Sequence, residues 1–106
     1  MFKENIFPIW NPTLRVKRIL EDSMNEKFRF KVYRDSCSAF IAKLTVRSII
    51  FDQCNSKCAQ CESSDNLAID HIKSVLYFFK TRQLELCNIE SNLQLLCRKC
   101  NSSKLP

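Results

Sequence analysis

Apolar and polar positions alternate in two different ways along the first half of the chain. Residues 13–24 carry apolar side chains at about one-turn spacing, which predicts a short helix. Residues 28–34, Phe-Arg-Phe-Lys-Val-Tyr-Arg, alternate apolar with mainly basic side chains, which predicts a half-buried strand. A break is predicted at residues 35–36, after which residues 40–52 return to helical spacing. The first twelve residues contain two prolines and predict an extended arm lying against the domain.

The second half divides into shorter segments. Polar stretches predict turns at residues 54–57, 63–66 and 90–92. The run Leu67–Ile72 between two of these turns predicts a strand. Residues 74–86 fit neither a helical nor a strand period cleanly, and a helix is one interpretation. Residues 97–104 predict a short closing helix. Together the segments indicate an α+β fold.

Length and composition narrow the class of protein. The chain has 106 residues, of which 45% are apolar and 26% charged, so it forms one small globular domain and not a two-domain enzyme. No apolar run approaches the ~20 residues that cross a bilayer. The first eight residues lack the apolar core and cleavage site of a signal peptide. We therefore expect a soluble, cytoplasmic protein without a membrane partner.

Charge and cysteine content add two expectations. Seventeen Lys and Arg against eleven Asp and Glu give a net charge of +6, which favours an anionic partner. The chain has no Gly and seven Cys. An odd number of cysteines without an export signal argues against a disulfide scaffold and favours metal ligation together with a few buried thiols.

Two cysteine pairs have the spacing of zinc knuckles. Cys58-x-x-Cys61 and Cys97-x-x-Cys100 are separated by 35 residues and could supply the four thiolates of a closed tetrahedral site. Such a zinc ion is structural, because no position is left for water or substrate. Two alternatives stay open: one pair is simply buried, or Cys54 replaces a ligand. The cysteines expected to pack as small apolar side chains are Cys37, Cys54 and Cys87.

The single histidine lies in an unusual setting. A lone His is most often structural, but His71 follows the carboxylate of Asp70 and lies between the two knuckles. Asn101 directly follows the last cysteine of the second pair. This combination is rarer than any of its parts.

These residues resemble the HNH nuclease family, also called ββα-metal or His-Me finger nucleases. The matching segments cover about residues 54–104 and include both knuckles; they are Leu67–Ile72, Asn92–Cys97, Asn101 and Lys104. The resemblance implies a β-hairpin that carries the histidine, followed by a helix that carries the last motif residue. We therefore expect a small zinc-stapled ββα-metal finger, residues 54–106, with an N-terminal extension, residues 1–53, of one strand and one or two helices that packs on or docks the nuclease core.

The resemblance also implies roles for individual residues. His71 would be the general base that activates water, and Asp70 with Asn101 would hold Mg²⁺ or Mn²⁺ on the scissile phosphate. The products would be 5′-phosphate and 3′-hydroxyl ends. Asn92 would fix the loop and orient the histidine, and Lys104, three residues after Asn101 on the same helical face, would contact the phosphate backbone.

Two geometric expectations accompany these roles. Neighbouring residues on a regular strand point to opposite faces, so the strand must end or bulge at Asp70 and His71. Cys100 precedes Asn101, so zinc would anchor the backbone of that metal ligand. The chain also departs from the family pattern, because Glu62 replaces the Gly that often follows the first knuckle, and residues 74–91 replace a Gly-rich turn.

The remaining expectations concern the partner. The basic residues that flank the motif and that we nominate for nucleic-acid binding, besides Lys104, are Lys73, Arg82, Arg98 and Lys99. Core packing is favoured over base stacking for residues 77–79, Tyr-Phe-Phe. The predicted function is a metal-dependent DNA endonuclease, with RNA left open as a substrate, and family usage leaves open a homodimer or a larger complex such as a defence or mobile-element system. The alternative is a zinc-dependent nucleic-acid-binding or adaptor module that does not cleave.

Overall fold

The computed structural model describes residues 7–11 and 25–104. These residues form four helices, two 3₁₀ turns and one antiparallel two-stranded sheet, which confirms the α+β prediction. In chain order the elements are α1 (Glu26–Ile41), α2 (Leu44–Gln53), β1 (Leu67–His71), α3 (Val75–Lys80), the 3₁₀ turns Leu84–Leu86 and Glu90–Asn92, β2 (Leu93–Cys97) and α4 (Arg98–Ser103). No helix within the described ranges is both long and apolar enough to span a membrane.

The strand predicted at residues 28–34 is wrong, because this segment lies inside α1. The helix begins where the Asn25 side chain accepts a hydrogen bond from the Phe28 backbone N–H at 3.2 Å, and Glu26 lies in its first turn. An asparagine N-cap followed by an acidic residue is a helix-start signal. The sequence of residues 25–26 therefore carried the information that the local alternation obscured.

The break predicted at residues 35–36 is also wrong, since α1 continues through both positions. Asp35 lies on the exposed face and pairs with Lys31, one turn earlier, at 2.9 Å. The opposite face buries Tyr33, Cys37 and Phe40, whose spacing is helical. The chain breaks later, at residues 42–43 between α1 and α2, so the helix predicted over residues 40–52 is divided.

Most predictions for the second half are confirmed. β1 lies within the predicted strand, α4 within the predicted closing helix, and the helical interpretation holds for Val75–Lys80. In the predicted N-terminal arm, Phe7 and Trp10 pack against the core, as expected. The helix predicted at residues 13–24 lies outside the described residues.

Strand β2 is buried on both faces and organises the core. Leu93 and Leu95 pack against Val46 of α2 and other residues of the helical layer, whereas Leu96 lies in a separate cluster with Cys58. The β1–β2 register places Leu67 opposite Cys97 at one end of the sheet and His71 opposite Leu93 at the other. The two candidate sites therefore lie at opposite ends of one hairpin.

Candidate active site and metal centre

The four knuckle cysteines come together at the Leu67–Cys97 end of the sheet. The sulfur atoms of Cys58, Cys61, Cys97 and Cys100 all lie within 4.8 Å of one another, and the Sγ atoms of Cys61 and Cys97 are 3.6 Å apart. Tetrahedral zinc with Zn–S bonds of about 2.3 Å separates its sulfur ligands by about 3.8 Å. The cluster therefore fits a structural zinc ion, with Cys58 rather than Cys54 as the ligand.

The four thiols differ in acidity. Burial raises the pKa of Cys58, but backbone N–H groups near its sulfur outweigh burial and lower that pKa to about 6. The pKa of Cys100 is raised to about 12, chiefly by its contact with the Cys97 thiol. Thiolates this close repel one another, so four of them require a cation between them.

The turn of the first knuckle uses an unusual backbone conformation. Glu62 has a φ of 63° and its N–H donates to the Cys58 carbonyl at 3.0 Å. The left-handed region favours glycine, which has no Cβ to clash. The chain therefore adopts the conformation that a glycine would adopt at this position, with a glutamate in its place. The backbone N–H of Ala59 in the same knuckle donates to the Leu95 carbonyl at 2.8 Å, which docks the knuckle on β2.

A cleft of about 700 Å³ opens at the other end of the sheet, between the end of β1, the loop after it, α3 and α4. Five of the predicted site residues line it: Asp70, His71, Lys73, Asn101 and Lys104. The strand was expected to end or bulge at Asp70 and His71. Strand β1 ends at His71 and has no bulge. Although Asp70 and His71 are neighbours on a strand, both reach the cleft because it lies at the strand end.

Asp70 is held by two side chains. Its Oδ2 accepts a hydrogen bond from Gln94, directly opposite on β2, at 3.0 Å, and from the Lys104 ammonium at 2.6 Å. Lys104 also donates to the His71 carbonyl at 2.6 Å. The carboxylate therefore already has a cation beside it, and its position is set by β2 and by the end of α4.

His71 has a different set of neighbours. Its Nε2 lies 2.6 Å from Oδ1 of Asn88, which is buried. Burial disfavours the imidazolium, but the nearby Cys87 thiol and the Asn88 amide outweigh burial and raise the pKa of His71 above its ordinary value. The pKa of the Cys87 thiol is lowered, mainly by its hydrogen bond with the Cys37 side chain. The ring is therefore fixed from the core side while it lines the cleft.

Asn92 joins the two loops that flank the histidine. Its Oδ1 accepts from the Lys73 backbone N–H at 2.8 Å, and its Nδ2 donates to the carbonyls of Lys73 at 3.2 Å and Cys87 at 2.8 Å. The Asn92 side chain is buried, so these bonds satisfy its amide oxygen and its amide nitrogen inside the protein. One amide therefore ties the loop after β1 to the segment before β2.

Comparison with known families identifies the region that holds both sites. The family described as HNH endonuclease matches residues 52–105, which is 54 of the 106 residues. The chain belongs to the HNH endonuclease family. No curated protein and no solved structure matches the chain. Membership in the HNH family indicates a nuclease-type, nucleic-acid-related function.

The last helix of the HNH region carries the other candidate metal ligand. Asn101 is exposed on α4 and lines the cleft with Asp70. Carboxylate and amide oxygens suit Mg²⁺ or Mn²⁺, and the Asp70 carboxylate is paired with the Lys104 ammonium. The donor set therefore fits a divalent ion.

Lys104 was expected to lie on the same helical face as Asn101. Instead, α4 ends at Ser103, and Lys104 contacts Asp70 from the cap position after the helix.

The cationic residues nominated for nucleic-acid binding in the HNH region do not share one location. Lys73 is exposed and lines the cleft, with its ammonium 4.8 Å from the centre of the Tyr77 ring. Arg98 and Lys99 are exposed in the first turn of α4. Arg82 lines a different pocket, with Glu85. Of the aromatic residues 77–79, the two phenylalanines are buried in the core and the tyrosine lines the cleft.

Two residues of the HNH site were absent from the sequence predictions. Asn88 lies between the segment of ambiguous periodicity, residues 74–86, and the turn predicted at residues 90–92, and no local pattern distinguishes it from a surface asparagine. Gln94 could be anticipated only from the strand register, which places it opposite Asp70.

The three non-ligand cysteines pack as predicted, since Cys37 and Cys87 are fully buried and Cys54 lies partly buried against the core.

Proposed function

We propose that this HNH protein is a metal-dependent endonuclease that hydrolyses DNA phosphodiester bonds. The observation that carries the proposal is one cleft lined together by Asp70, His71 and Asn101. These residues supply a nitrogen base and two oxygen donors within a family of nucleases. The net charge of +6 supports an anionic polymer as substrate.

In the proposed reaction the neutral imidazole of His71 takes a proton from a water molecule. The water oxygen attacks phosphorus, the bond from phosphorus to the 3′ oxygen breaks, and the departing oxygen takes a proton from solvent. The products carry a 5′-phosphate and a 3′-hydroxyl. A histidine suits the role of base because it exchanges protons near neutral pH.

Asp70 and Asn101 would hold the divalent ion. When bound, Mg²⁺ or Mn²⁺ supplies polarisation of the phosphate and stabilisation of the leaving oxygen. The chain itself positions both ligands: Gln94 fixes the Asp70 carboxylate from β2, and Asn101 directly follows a cysteine of the zinc cluster. The Lys104 ammonium contacts Oδ2 of Asp70 and would share this carboxylate with the ion.

We assign the first contacts with the nucleic-acid backbone to Lys73 at the cleft and to Arg98 and Lys99 at the start of α4. Exposed cations at these positions can neutralise phosphates without reading sequence. We assign residues 1–53 as an extension to a nuclease core of residues 54–106. Among the described residues, α1 contacts α3 and α2 contacts β2, which supports packing of this extension on the core.

The test is conversion of supercoiled plasmid to nicked or linear DNA by the zinc-loaded protein with Mg²⁺ or Mn²⁺. His71→Ala is prepared identically, and Lys57→Ala, an exposed residue outside the cleft lining, is the matched control. Labelled RNA is assayed in parallel. Ligation of the products without prior kinase treatment reports 5′-phosphate ends.

Cleavage by the wild type and by Lys57→Ala, but not by His71→Ala, is the expected result. If neither the wild type nor His71→Ala cuts, while both keep zinc and shift DNA in a gel, the endonuclease proposal is replaced by the non-cleaving binding module. Equal cleavage by His71→Ala would remove His71 as the base.

A further inference from the structure

The contacts of Asn88 define which way its amide faces. Its Nδ2 donates to the Cys37 carbonyl of α1 at 3.2 Å, and its Oδ1 lies 2.6 Å from Nε2 of His71. A backbone carbonyl can only accept hydrogen bonds, so the amide NH₂ must face Cys37. The Asn88 oxygen must therefore face the imidazole.

This orientation determines the protonation of the ring. An amide oxygen can only accept, so the nitrogen beside it must carry a hydrogen. In the neutral imidazole one nitrogen is a donor and the other an acceptor. With the proton on Nε2, the lone pair available to take a further proton is on Nδ1.

We propose that Asn88 is a positioning residue for His71: its side-chain amide, anchored on the Cys37 carbonyl, holds the neutral imidazole as the Nε2–H tautomer and leaves Nδ1 to accept the proton from water. The inference rests on the proposed function for the role of that water. The tautomer and its cause follow from the hydrogen-bond geometry alone.

The surroundings make Asn88 a rigid support. The residue is 1% exposed, so neither of its bonds competes with bulk water. The Asn92 side chain holds the carbonyl of the preceding residue, Cys87, at 2.8 Å, which fixes the backbone next to Asn88. Asn92 thus fixes the backbone next to Asn88, and Asn88 in turn fixes the ring of His71.

The inference also gives the N-terminal extension a part in the site. The anchor of the Asn88 amide is a carbonyl of α1, 51 residues away in sequence. Without α1 the amide could rotate and present either group to the ring. The first half of the chain therefore contributes to the orientation of the proposed base.

One competing neighbour must be separated from Asn88. The Cys87 thiol is buried beside His71, and after burial its hydrogen bond with the imidazole is the largest influence on the pKa of that ring, which it raises. If the Cys87 thiol rather than the Asn88 amide determined which ring nitrogen carries the proton, Cys87→Ala would change the tautomer and the Asn88 variants would not. Cys37→Ala is the matched packing control, because it removes a buried thiol of the same cluster and keeps the backbone carbonyl.

The experiment reads the tautomer directly by NMR. Because His71 is the only histidine, a long-range ¹H–¹⁵N correlation of the full, zinc-loaded chain shows one imidazole without assignment ambiguity, provided that the purification tag contains no histidine. The spectrum is taken at a pH at which the ring is neutral. A protonated Nε2 and an unprotonated Nδ1 are expected, and the reverse pattern overturns the inference.

Two variants then test the cause. Asn88→Leu removes the acceptor and should give a mixed or reversed tautomer with cleavage lowered about 100-fold, the scale of a small misplacement of a catalytic group. Asn88→Asp keeps an oxygen acceptor and should keep the Nε2–H tautomer. An unchanged tautomer in Asn88→Leu, or a changed one in Asn88→Asp, overturns the inference. If Asn88→Leu does not melt cooperatively, the wild-type spectrum and Asn88→Asp decide.

The readout separates this inference from the proposed function. A protein with the expected tautomer and no cleavage of DNA contradicts the nuclease proposal alone. A protein that cleaves DNA with the proton on Nδ1 contradicts the role of Asn88 alone. A changed tautomer in Cys87→Ala assigns the control of the ring to the thiol and also overturns the inference.

Discussion

The two ends of the β1–β2 hairpin are stabilised by different chemistry. At the Leu67–Cys97 end, four sulfur atoms within 4.8 Å of one another form a site that closes around a metal ion. At the other end, the buried amides of Asn88 and Asn92 hold the His71 ring and the loops around it. Four thiolates around a tetrahedral zinc ion would leave no open position at the metal end, whereas the amide end leaves a cleft.

This difference shows how a small domain can combine stability with an open site. A structural zinc ion contributes folding free energy without needing a large core. The cleft end can then use its polar groups for positioning, because it does not have to stabilise the whole fold. Helix α4 connects the two ends, since it begins after Cys97 and its cap, Lys104, contacts Asp70.

Breaking the metal end should have the largest effect. Structural zinc sites contribute about 10–16 kcal/mol, which is comparable to the whole stability of a domain, about 5–15 kcal/mol. Cys61 is the exposed ligand, so Cys61→Ser removes a thiolate with little loss of packing. We expect this variant to lose zinc and cooperative thermal unfolding, as followed by metal analysis and circular dichroism.

The matched control for this prediction is Cys54→Ser, which lies outside the cluster. It should keep one zinc ion per chain and a cooperative melt. A Cys61→Ser protein that melts like the wild type, or a wild type unaffected by a strong chelator, would mean that packing alone stabilises the hairpin.

Breaking the amide end should have a smaller but clear effect on stability. Asn92→Ala removes the partner of three backbone groups, namely the N–H and carbonyl of Lys73 in part-buried bonds and the carbonyl of Cys87 in a buried bond. Each such group costs about 1–3 kcal/mol, with partial relief from water entering the space, so we expect a loss of about 2–4 kcal/mol in denaturant unfolding. Ser91→Ala, an exposed neighbour in the same turn, should stay within about 0.5 kcal/mol of the wild type. Equal stability of the two variants would show that the amide does not hold the loops.

Breaking the contact between the two ends should lower the free energy of unfolding least of these three changes. Lys104→Gln removes a partly exposed ion pair with Asp70 and a bond to the His71 carbonyl. Pairs of this kind contribute about 1 kcal/mol, so a loss of about 1 kcal/mol in denaturant unfolding is expected, with zinc retained. Lys99→Gln, exposed on the same helix, is the control and should change little. A loss of zinc in Lys104→Gln would show that the two ends are not independent.

The sequence predicted the metal end far better than the amide end. Structural zinc ligands are largely cysteines and histidines in closely spaced pairs, so Cys58 and Cys97 could be nominated from the chain alone. The bonds of Asn88 depend on a carbonyl 51 residues away, which no local pattern encodes.

The error at residues 28–34 has a related cause. Six or seven residues can satisfy a strand period and a helix period at once, and the deciding burial of Tyr33, Cys37 and Phe40 extends beyond that window. The distant partners of this face, among them Phe79 and Cys87, become visible only in the folded chain.

The smallest effect should come from the backbone of the metal end. Five described residues have positive φ in a chain without glycine, and Glu62 is the one in the first knuckle. A non-glycine residue there costs about 1–2 kcal/mol. A glycine would relieve this strain, but it also gives the unfolded chain greater freedom, which offsets part of the gain in stability. Glu62→Gly should therefore raise the free energy of unfolding by about 0.5–1 kcal/mol. Glu62→Ala removes the same carboxylate but keeps a Cβ, so it should give no gain, and equal stability of the two variants would mean that the knuckle carries no backbone strain.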